Sequence, residues 1–289
     1  MLSSGYFQVI ISMLIWGSVG VFVRYADQPA DVIVFVRVFS AFVALGLYML
    51  LAKQPFRFLR WRWTVAAGLV LSLNWLFFFK AIQATTIGNA VFTYYLAPVF
   101  SIIWARLFLG EHLERRAFYA LGLAACGLAL MLSSYELSFT SSDFLGILFG
   151  LTGALFYSLV VVLAKYLTDV PPLTLVLVQM GVSSLVFLPT VLLSPPTFST
   201  VGLMSMLTMG VIHSAFALGL YFTGLAKIKV QHASILSYID PVSALLYAYL
   251  FFAEIPGPYT LAGGGLILVA SVLIIRRGNS NQHESTNSL

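Results

Sequence analysis

Long apolar segments alternate with short polar connections along the chain, and this pattern predicts its architecture. The apolar runs are continuous over about 20 residues, the length that an α-helix needs to cross the hydrocarbon core of a bilayer. Prolines such as Pro29, Pro55 and Pro258 mark several of the connections. The pattern predicts ten spans, at about residues 6–24, 32–52, 64–83, 87–109, 116–134, 144–166, 172–193, 203–226, 231–252 and 258–275.

The composition agrees with helices that lie in a membrane. The 289 residues are 60% hydrophobic and only 9% charged, with a mean hydropathy of +0.97, whereas a soluble domain carries about 25% charged residues. A membrane-spanning β-barrel would alternate apolar and polar residues over about ten positions, but the apolar runs here are unbroken. Since backbone polar groups in lipid must bond within their own element, we predict an all-α membrane protein.

The net charge of +5 comes from Lys and Arg residues that are scattered at span ends. This scattering is typical of the positive-inside rule and argues against a nucleic-acid partner. The basic loops carry Lys53, Arg57, Arg60, Arg62, Arg115, Arg116, Lys227, Lys229, Arg276 and Arg277, and the opposite loops carry Asp27, Asp31, Glu136 and Asp143, with Arg24 as the main exception. We therefore expect both termini in the cytoplasm, with membrane lipids around the spans and a disordered cytoplasmic tail at residues 276–289.

The second half of the chain repeats part of the first half. A shift of 143 positions carries Tyr95 onto Tyr238 and Pro98 onto Pro241 without a gap. The further matches are Ala90 with Ala233, Val99 with Val242, Ala105 with Ala248, Leu107-Phe108 with Leu250-Phe251, Glu111 with Glu254, and Gly122-Leu123 with Gly265-Leu266. We predict two five-span repeats, at residues 1–135 and 136–275. Because five is odd, the second repeat enters the membrane from the opposite side, and inverted repeats of this kind recur in transporters, whose substrates bind near the midplane.

Short motifs add a family resemblance to this pattern. They are Trp16-Gly17, Asn74-Trp75, Lys80-Ala81, Tyr95-x-x-Pro98 with Leu109-Gly110-Glu111, and Tyr238-x-x-Pro241 with Phe252-Ala253-Glu254. Through them nearly the whole chain resembles the drug/metabolite transporter superfamily, and specifically its ten-span EamA-type proteins. The resemblance implies an exporter or exchanger of small metabolites, often amino acids, in a bacterial inner membrane, with a cavity lined by spans 1, 3, 4, 6, 8 and 9. Strict repeat symmetry fails where Ala97 stands against Asp240.

Two titratable residues lie deep in the predicted spans. Asp240 is about nine residues into span 9, or roughly 13 Å from its start at 1.5 Å per residue, where a carboxylate costs at least about 2.5–3.5 kcal/mol. His213 lies at a similar depth in span 8, and histidine titrates near neutral pH. Asp240 and His213 are therefore our candidates for proton coupling. The alternative is that both are structural and hydrogen-bonded to neighbouring groups.

Two basic residues are candidates for binding a substrate carboxylate. Arg37 and Lys80 approach the membrane from the outer side of spans 2 and 3, and either could make a charge-assisted hydrogen bond. Lys80 is also close enough to the surface to extend into the headgroups. Arg106 and Lys165 have only this second interpretation, near the cytoplasmic ends of their spans.

Aromatic and polar side chains complete the predicted site. Trp16 and Trp75 lie at mid-span rather than in the interfacial belt where Trp normally concentrates, so they could line a slot for an apolar or aromatic substrate. The full predicted substrate-binding set is Trp16, Arg37, Asn74, Trp75, Lys80, Tyr95, Tyr157 and Tyr238. Packing between helices is the alternative role for these rings. Glu111 and Glu254 follow equivalent spans and are expected to bind neighbouring backbone or basic side chains.

Motifs for catalysis are missing from the sequence. It has no His-Glu-x-x-His zinc motif, no phosphate-binding glycine loop and no Asp-rich magnesium pair, and the lone Cys126 excludes an intrachain disulfide and a thiolate metal site. We therefore predict no enzyme, no catalytic residue, no cofactor and no metal. Glycines near Gly127 and Gly263 allow close helix contact, within one chain or in a dimer, so a monomer and a homodimer both stay open.

Together these features predict a secondary transporter or facilitator. It would export small organic metabolites, most simply amino acids, by alternating access, with Pro98 and Pro241 as flex points and protons as a candidate coupling ion. One alternative is multidrug efflux of hydrophobic cations, which would depend on Asp240 but not on Arg37 or Lys80. An intramembrane lipid-modifying enzyme would need a cluster of acidic and metal-binding residues, which the sequence lacks. A non-transporting scaffold or receptor would leave Asp240, His213 and Arg37 without a role.

Overall fold

The computed structural model describes residues 4–85, 87–133, 143–193 and 196–286, and in these ranges its regular structure is helical throughout. Ten helical segments are long and apolar enough to cross a membrane, as predicted. We label these spans α1 to α10. The boundary predicted between the repeats at residues 135 and 136, and the loop residue Glu136, lie outside the described ranges.

Six spans consist of one continuous helix each. They are α2 (Ala30–Leu51), α3 (Trp61–Ala84), α5 (Arg115–Leu132), α6 (Phe144–Tyr166), α7 (Pro172–Leu193) and α10 (Pro258–Thr286). The helix of α10 continues beyond residue 275, where the sequence places the start of the tail, and the predicted disorder of that tail stays a prediction.

Four spans are interrupted. They are α1 (Ser4–Gly17 and Val19–Ala26), α4 (Ile87–Tyr94 and Ala97–Leu109), α8 (Thr200–Thr208, the π-helix Met209–Phe216 and Ala217–Leu225) and α9 (Val230–Leu236 and Ile239–Phe252). Pro98 and Pro241 lie in the first turn that follows a break, where a missing N–H costs no intrahelical bond. The breaks therefore precede the prolines by a few residues.

Equivalent positions of α4 and α9 share their local geometry as well as their sequence. Both spans end at a left-handed residue, Gly110 with φ 66° and Ala253 with φ 53°. The next amides, of Glu111 and Glu254, bond back to carbonyls six residues earlier in the helix, at 3.2 and 3.3 Å, so both helix ends are closed in the same way. The sequence repeat is therefore also a structural repeat.

The packing of the spans follows the same repeat. The contact of α3 with α6 matches that of α8 with α1, and the contact of α4 with α6 matches that of α9 with α1. Contacts of α2 with α7, α4 with α9 and α5 with α10 join equivalent spans across the pseudo-symmetry axis. This pairing is the arrangement expected of an inverted five-span repeat.

Two of the glycines singled out above serve the contact of α5 with α10. A Cβ atom at Gly127 would lie 2.6 Å from the carbonyl oxygen of Gly263, and one at Gly263 would lie equally too close to the α5 backbone. The two helices approach each other closely because neither residue has a side chain. These glycines therefore act within the chain.

Candidate functional site

A cavity of about 210 Å³ lies in the middle of the molecule. Its walls come from α1, α3, α4, α6, α8 and α9, the spans that the family resemblance implies, and from α2 through Arg37. The predicted residues that line it are Trp16, Arg37, Asn74, Trp75, Tyr95, Pro98, Tyr157, His213 and Asp240. Lys80, Tyr238 and Pro241 are not part of this lining.

Asp240 stands at one side of the cavity, in the first turn of the second helix of α9. The break at Ser237-Tyr238 produces this helix start, whose dipole favours a carboxylate. The Tyr95 hydroxyl donates a hydrogen bond of 3.0 Å to Asp240 Oδ2. The carboxylate is thus held by a helix end and a phenol, and it borders the open space of the cavity.

Tyr238 lies behind this pair and supports it. Its ring is buried and stacks on Tyr95 with 6.2 Å between ring centroids. Its hydroxyl donates a 3.0 Å hydrogen bond to the Tyr95 carbonyl oxygen. That oxygen is available because the Val99 amide bonds to Leu96 instead. Tyr238 therefore positions Tyr95 rather than lining the cavity.

Arg37 stands on the α2 side of the cavity. Its Nε donates to Ser214 Oγ at 3.0 Å, and its Cζ lies 5.0 Å from the centroid of the Trp75 ring. Ser214 is its hydrogen-bond acceptor among the described residues, so the terminal guanidinium nitrogens are available for a ligand. Two partners thus orient a group that suits bidentate binding of a carboxylate.

Tyr94 and Asn74 connect the walls of the cavity. Asn74 Nδ2 donates to the Tyr94 hydroxyl at 3.1 Å and to the Gly153 carbonyl at 3.0 Å. The rings of Tyr94 and Tyr157 lie 5.8 Å apart. Asn74 therefore ties α3 to α4 and α6. The sequence predicted Asn74 as a substrate ligand, but both hydrogen bonds of its amide nitrogen go to protein.

His213 lies in the π-helix of α8 and turns towards α1. Its Nε2 is 2.8 Å from Ser18 Oγ, and its carbonyl accepts a 2.9 Å hydrogen bond from Trp16 Nε1. The wider π turn leaves this carbonyl free for Trp16, and π segments often occur at functional sites. His213 and Asp240 line one cavity, but the structure does not pair them directly. Nδ1 of His213 has no hydrogen-bond partner among the described residues.

A second cavity, of about 440 Å³, continues from the first along α1 and α9. The two cavities share the lining residues Trp16, Val19, Phe78, Tyr95 and Asp240. Pro241 lines the second cavity, which ends at an ion pair of 2.6 Å between Arg24 and Glu254. Both of these side chains are half exposed, at 55% and 50%. We call this end of the molecule the Glu254 face.

The opposite end, which we call the Glu111 face, is closed by a polar network. Both carboxylate oxygens of Glu111 lie 3.1 Å from the amide of Val230, where α9 begins. Glu114 accepts hydrogen bonds of 2.6 Å from Lys229 and 2.7 Å from Arg116. Burial alone would raise the pKa of Glu114, but these two bonds outweigh it and lower that pKa from 4.5 to about 2. The network joins the loop after α4 to the start of α9.

Two further residues close the same face. Lys165 was predicted to extend into the lipid headgroups, but it binds protein instead. Its Nζ donates to the carbonyls of Leu225, Ala226 and Ile228 at 2.9, 3.1 and 2.6 Å. These bonds cap the end of α8. The Tyr6 hydroxyl bonds to the His232 ring and joins α1 to α9. The prediction that Glu111 and Glu254 bind backbone or basic groups is confirmed by their partners.

Some residues of the site were missed by sequence reasoning. Ser214 and Ser18 bind Arg37 and His213, but a serine in an apolar span looks like any small packing residue. Neighbourhood to His213 was the one available signal for Ser214. The role of Glu114 depends on Lys229, which is distant in the sequence, so no local pattern indicates it.

The comparisons with known proteins agree with this architecture. The model of the EamA-like transporter family matches residues 3–133 and again 144–276. An uncharacterized transporter of Archaeoglobus fulgidus is 33% identical over 93% of this chain and 95% of its own length. The pseudopaline exporter CntI of Pseudomonas aeruginosa is 26% identical over 96% of this chain and 97% of its own.

One more relative and one structure extend the comparison. A probable terminal-alkyne amino-acid exporter of Streptantibioticus cattleyicolor is 25% identical over 69% of this chain and 67% of its own length. A solved crystal structure superposes with a TM-score of 0.86 at 18% identity and covers 96% of this chain and 99% of that one. The second likeness concerns the fold alone.

Proposed function

This chain belongs to the EamA-like transporter family, and on that premise we propose that it exports small zwitterionic metabolites, amino acids foremost, across the bacterial cytoplasmic membrane. The observation that carries the proposal is the placement of Arg37 and Asp240 in the lining of one cavity. A guanidinium suits a carboxylate, and a carboxylate suits an ammonium group. Two of the relatives are named as exporters, one of them of an amino acid.

The charges of the cavity support a zwitterion over a simple ion. Arg37 is oriented from α2 by Ser214, and Asp240 is oriented from α9 by Tyr95. Tyr94 lines the same cavity as these two groups. A substrate with charges of both signs would neutralise both groups at once, which lowers the cost of burying them.

The size and lining of the cavity support a small substrate. Its volume of about 210 Å³ is below the range of about 300–1,000 Å³ that is common for drug-sized ligands. Aromatic rings such as Trp75, Tyr157 and Tyr221 form much of its wall, and they suit an apolar or aromatic side chain. Both features favour an amino acid over a large multidrug substrate.

The two faces support alternating access. The Glu111 face is closed by the network around Glu114, whereas the second cavity leads from Asp240 to the Glu254 face. The positive-inside rule makes the Glu111 face cytoplasmic, so the conformation described here is open to the outside. Rocking of one repeat against the other, with Pro98 and Pro241 as flex points, would exchange the two faces.

Protons are the coupling ion that we propose. Asp240 and His213 are the titratable groups of the cavity that a proton could use. A substrate that binds Asp240 would then compete with its proton. This competition would link export of the substrate to entry of protons.

Uptake into proteoliposomes tests the proposal. The purified parent protein, Asp240→Asn and Arg37→Gln are compared with pooled radiolabelled amino acids, with and without an imposed pH gradient. We expect uptake by the parent that responds to the gradient, is lost in Asp240→Asn and is weakened in Arg37→Gln. Uptake that ignores the gradient and survives in Asp240→Asn would make the protein a facilitator.

The rival function gives a different pattern in the same assay. Multidrug efflux of hydrophobic cations predicts loss in Asp240→Asn but normal activity in Arg37→Gln, with a labelled hydrophobic cation as substrate. Parent protein that transports the cation and no amino acid would therefore overturn the zwitterion proposal.

A further inference from the structure

Equivalent tyrosines of the two repeats hold different hydrogen-bond acceptors. Tyr95 and Tyr238 occupy the same position of the repeat, each at the break of its span. The Tyr238 hydroxyl donates to the Tyr95 carbonyl at 3.0 Å, whereas the Tyr95 hydroxyl donates to Asp240 Oδ2 at 3.0 Å. The pair is therefore not symmetric in this conformation, although the residues are identical.

The asymmetry has a cause in the sequence. Asp240 in the second repeat corresponds to Ala97 in the first, so only the Tyr95 hydroxyl has a carboxylate to bind. In an inverted-repeat carrier, each repeat adopts the conformation of the other when the open face changes. The Tyr95 hydroxyl would then make the bond that Tyr238 makes now, to the carbonyl of its partner, and Asp240 would lose its donor.

We propose that Tyr95 couples Asp240 to the conformation of the carrier. Its hydroxyl binds the Asp240 carboxylate when the Glu254 face is open and moves to the Tyr238 carbonyl when the Glu111 face is open. This inference rests on the proposed function, since it takes alternation between the two faces as its starting point.

The exchange makes the affinity for the substrate differ between the two faces. When the Glu111 face is open, the Asp240 carboxylate is free to bind the ammonium group of a substrate. When the Glu254 face opens, the Tyr95 hydroxyl returns to the carboxylate and competes with that ammonium group. Substrate is bound more tightly on the cytoplasmic side and released on the outside. Tyr95 acts through Asp240 and is therefore a positioning residue.

Labelling of introduced thiols measures the balance between the two conformations without any substrate. In a Cys126→Ser background, Gly20→Cys reports the second cavity, because Gly20 lines it and a Cβ there meets no atom within 4 Å. Ser234→Cys reports the Glu111 half of α9, where the serine is buried and its hydroxyl has no partner among the described residues. The readout is the N-ethylmaleimide labelling rate of Gly20→Cys divided by that of Ser234→Cys, measured in detergent. A high ratio means that the Glu254 face is open, and a low ratio means that the Glu111 face is open.

The expected result is a change of sign between two backgrounds. With Asp240 present, Tyr95→Phe removes a bond to a charged group in one conformation and a weaker neutral bond in the other, so the ratio falls about three- to ten-fold. In Asp240→Ala, the Tyr95 hydroxyl has only its bond to the Tyr238 carbonyl, which forms when the Glu111 face is open. Tyr95→Phe then destabilises that conformation and raises the ratio. Alanine is the residue that the first repeat already has at this position.

Tyr238→Phe is the matched control for this experiment. It removes the same hydroxyl from the equivalent position, and its bond goes to a backbone carbonyl, so it should lower the ratio by the same factor in both backgrounds. An equal effect of Tyr95→Phe in both backgrounds, or no effect in either, overturns the coupling. If the sign changes but the parent transports no amino acid, the proposed function alone fails.

Discussion

Arg37 and Asp240 are the residues on which the proposed chemistry of the cavity depends. Both were predicted from the sequence: Asp240 because an ionisable group deep in a span is costly to insert, and Arg37 because a guanidinium suits a substrate carboxylate. The partners that orient them, Ser214 and Tyr95, differ in how far the sequence indicated them. Tyr95 stood out through the repeat, whereas Ser214 carried no signal of its own. Depth along a helix can be counted from the sequence, but the direction of a side chain depends on packing.

The fate of the predicted His213–Asp240 pair illustrates this limit. Both residues do lie at the cavity, as similar depths in their spans suggest. However, the π-helix of α8 rotates His213 towards Ser18. A single sequence carries no signal for the extra residue of a π turn. Direct pairing of His213 with Asp240 could therefore not be excluded from the sequence.

Replacing Arg37 tests its proposed role at the residue scale. Arg37→Gln keeps a polar side chain but loses the charge and the bidentate geometry, so we expect KM for amino-acid uptake to rise about ten-fold or more, as for loss of a hydrogen bond to a charged group. Initial uptake rates over a range of substrate concentrations give KM and kcat separately.

Arg106 offers a matched control for this substitution. It is an arginine within a span, but its side chain is exposed on the outside of the bundle. Arg106→Gln should leave KM within about two-fold of the parent, because many exposed charges contribute little. Equal effects of the two substitutions would show that Arg37 has no special role in binding.

At the scale of elements, the ten spans were predicted well and their interruptions less so. The breaks in α4 and α9 lie beside Pro98 and Pro241, which mark them in the sequence. The break at Ser18 in α1 has no proline, and the tie between α1 and α9 through Tyr6 and His232 joins residues far apart in the chain. Such features follow from tertiary contacts, which local patterns do not record.

The network around Glu114 predicts a pH-dependent stability for the joint between α5 and α9. The pKa of Glu114 is lowered from 4.5 to about 2, so its contribution to folding is fully present above pH 4.5 and is lost as the pH falls towards 2. Glu114→Gln should therefore lower the Tm by several degrees at pH 7, and the difference from the parent should shrink between pH 4.5 and 3. Thermal unfolding in detergent measures it.

Glu254→Gln provides the comparison. Its ion pair with Arg24 is half exposed, whereas the Glu114 side chain is only 19% exposed. Exposed pairs contribute about 0–1 kcal/mol, so this substitution should change the Tm at pH 7 much less. A Tm shift for Glu114→Gln that is the same at every pH would contradict the assigned role of its charge.

At the scale of the whole molecule, the repeat accounts for most of what the sequence could reveal. It predicted five spans in each half, and the equivalent helix ends at Gly110 and Ala253 and the matched span contacts are in keeping with it. It could not reveal which face is closed, because the two halves have equivalent helices on either side. That choice depends on unequal polar partners, such as those of Glu111 and Glu254.

Moving the carboxylate between repeats tests this view of the molecule. The double substitution Ala97→Asp with Asp240→Ala transfers the acid to the equivalent position of α4. We expect the KM values measured from the two faces to exchange, because the repeats exchange roles. Uptake into vesicles of each orientation measures both constants, and unchanged KM values would contradict the expectation. Elution as one peak in gel filtration controls for folding.

The unequal pair at positions 97 and 240 also limits what the architecture can achieve by itself. A carrier obeys detailed balance, so a difference in affinity between its faces must be offset by an opposite difference in its rates of reorientation. Asymmetry of the protein alone therefore produces no net transport in either direction at equilibrium. It sets the concentrations at which each direction saturates, while accumulation against a gradient requires a second solute whose flow is tied to the same carboxylate.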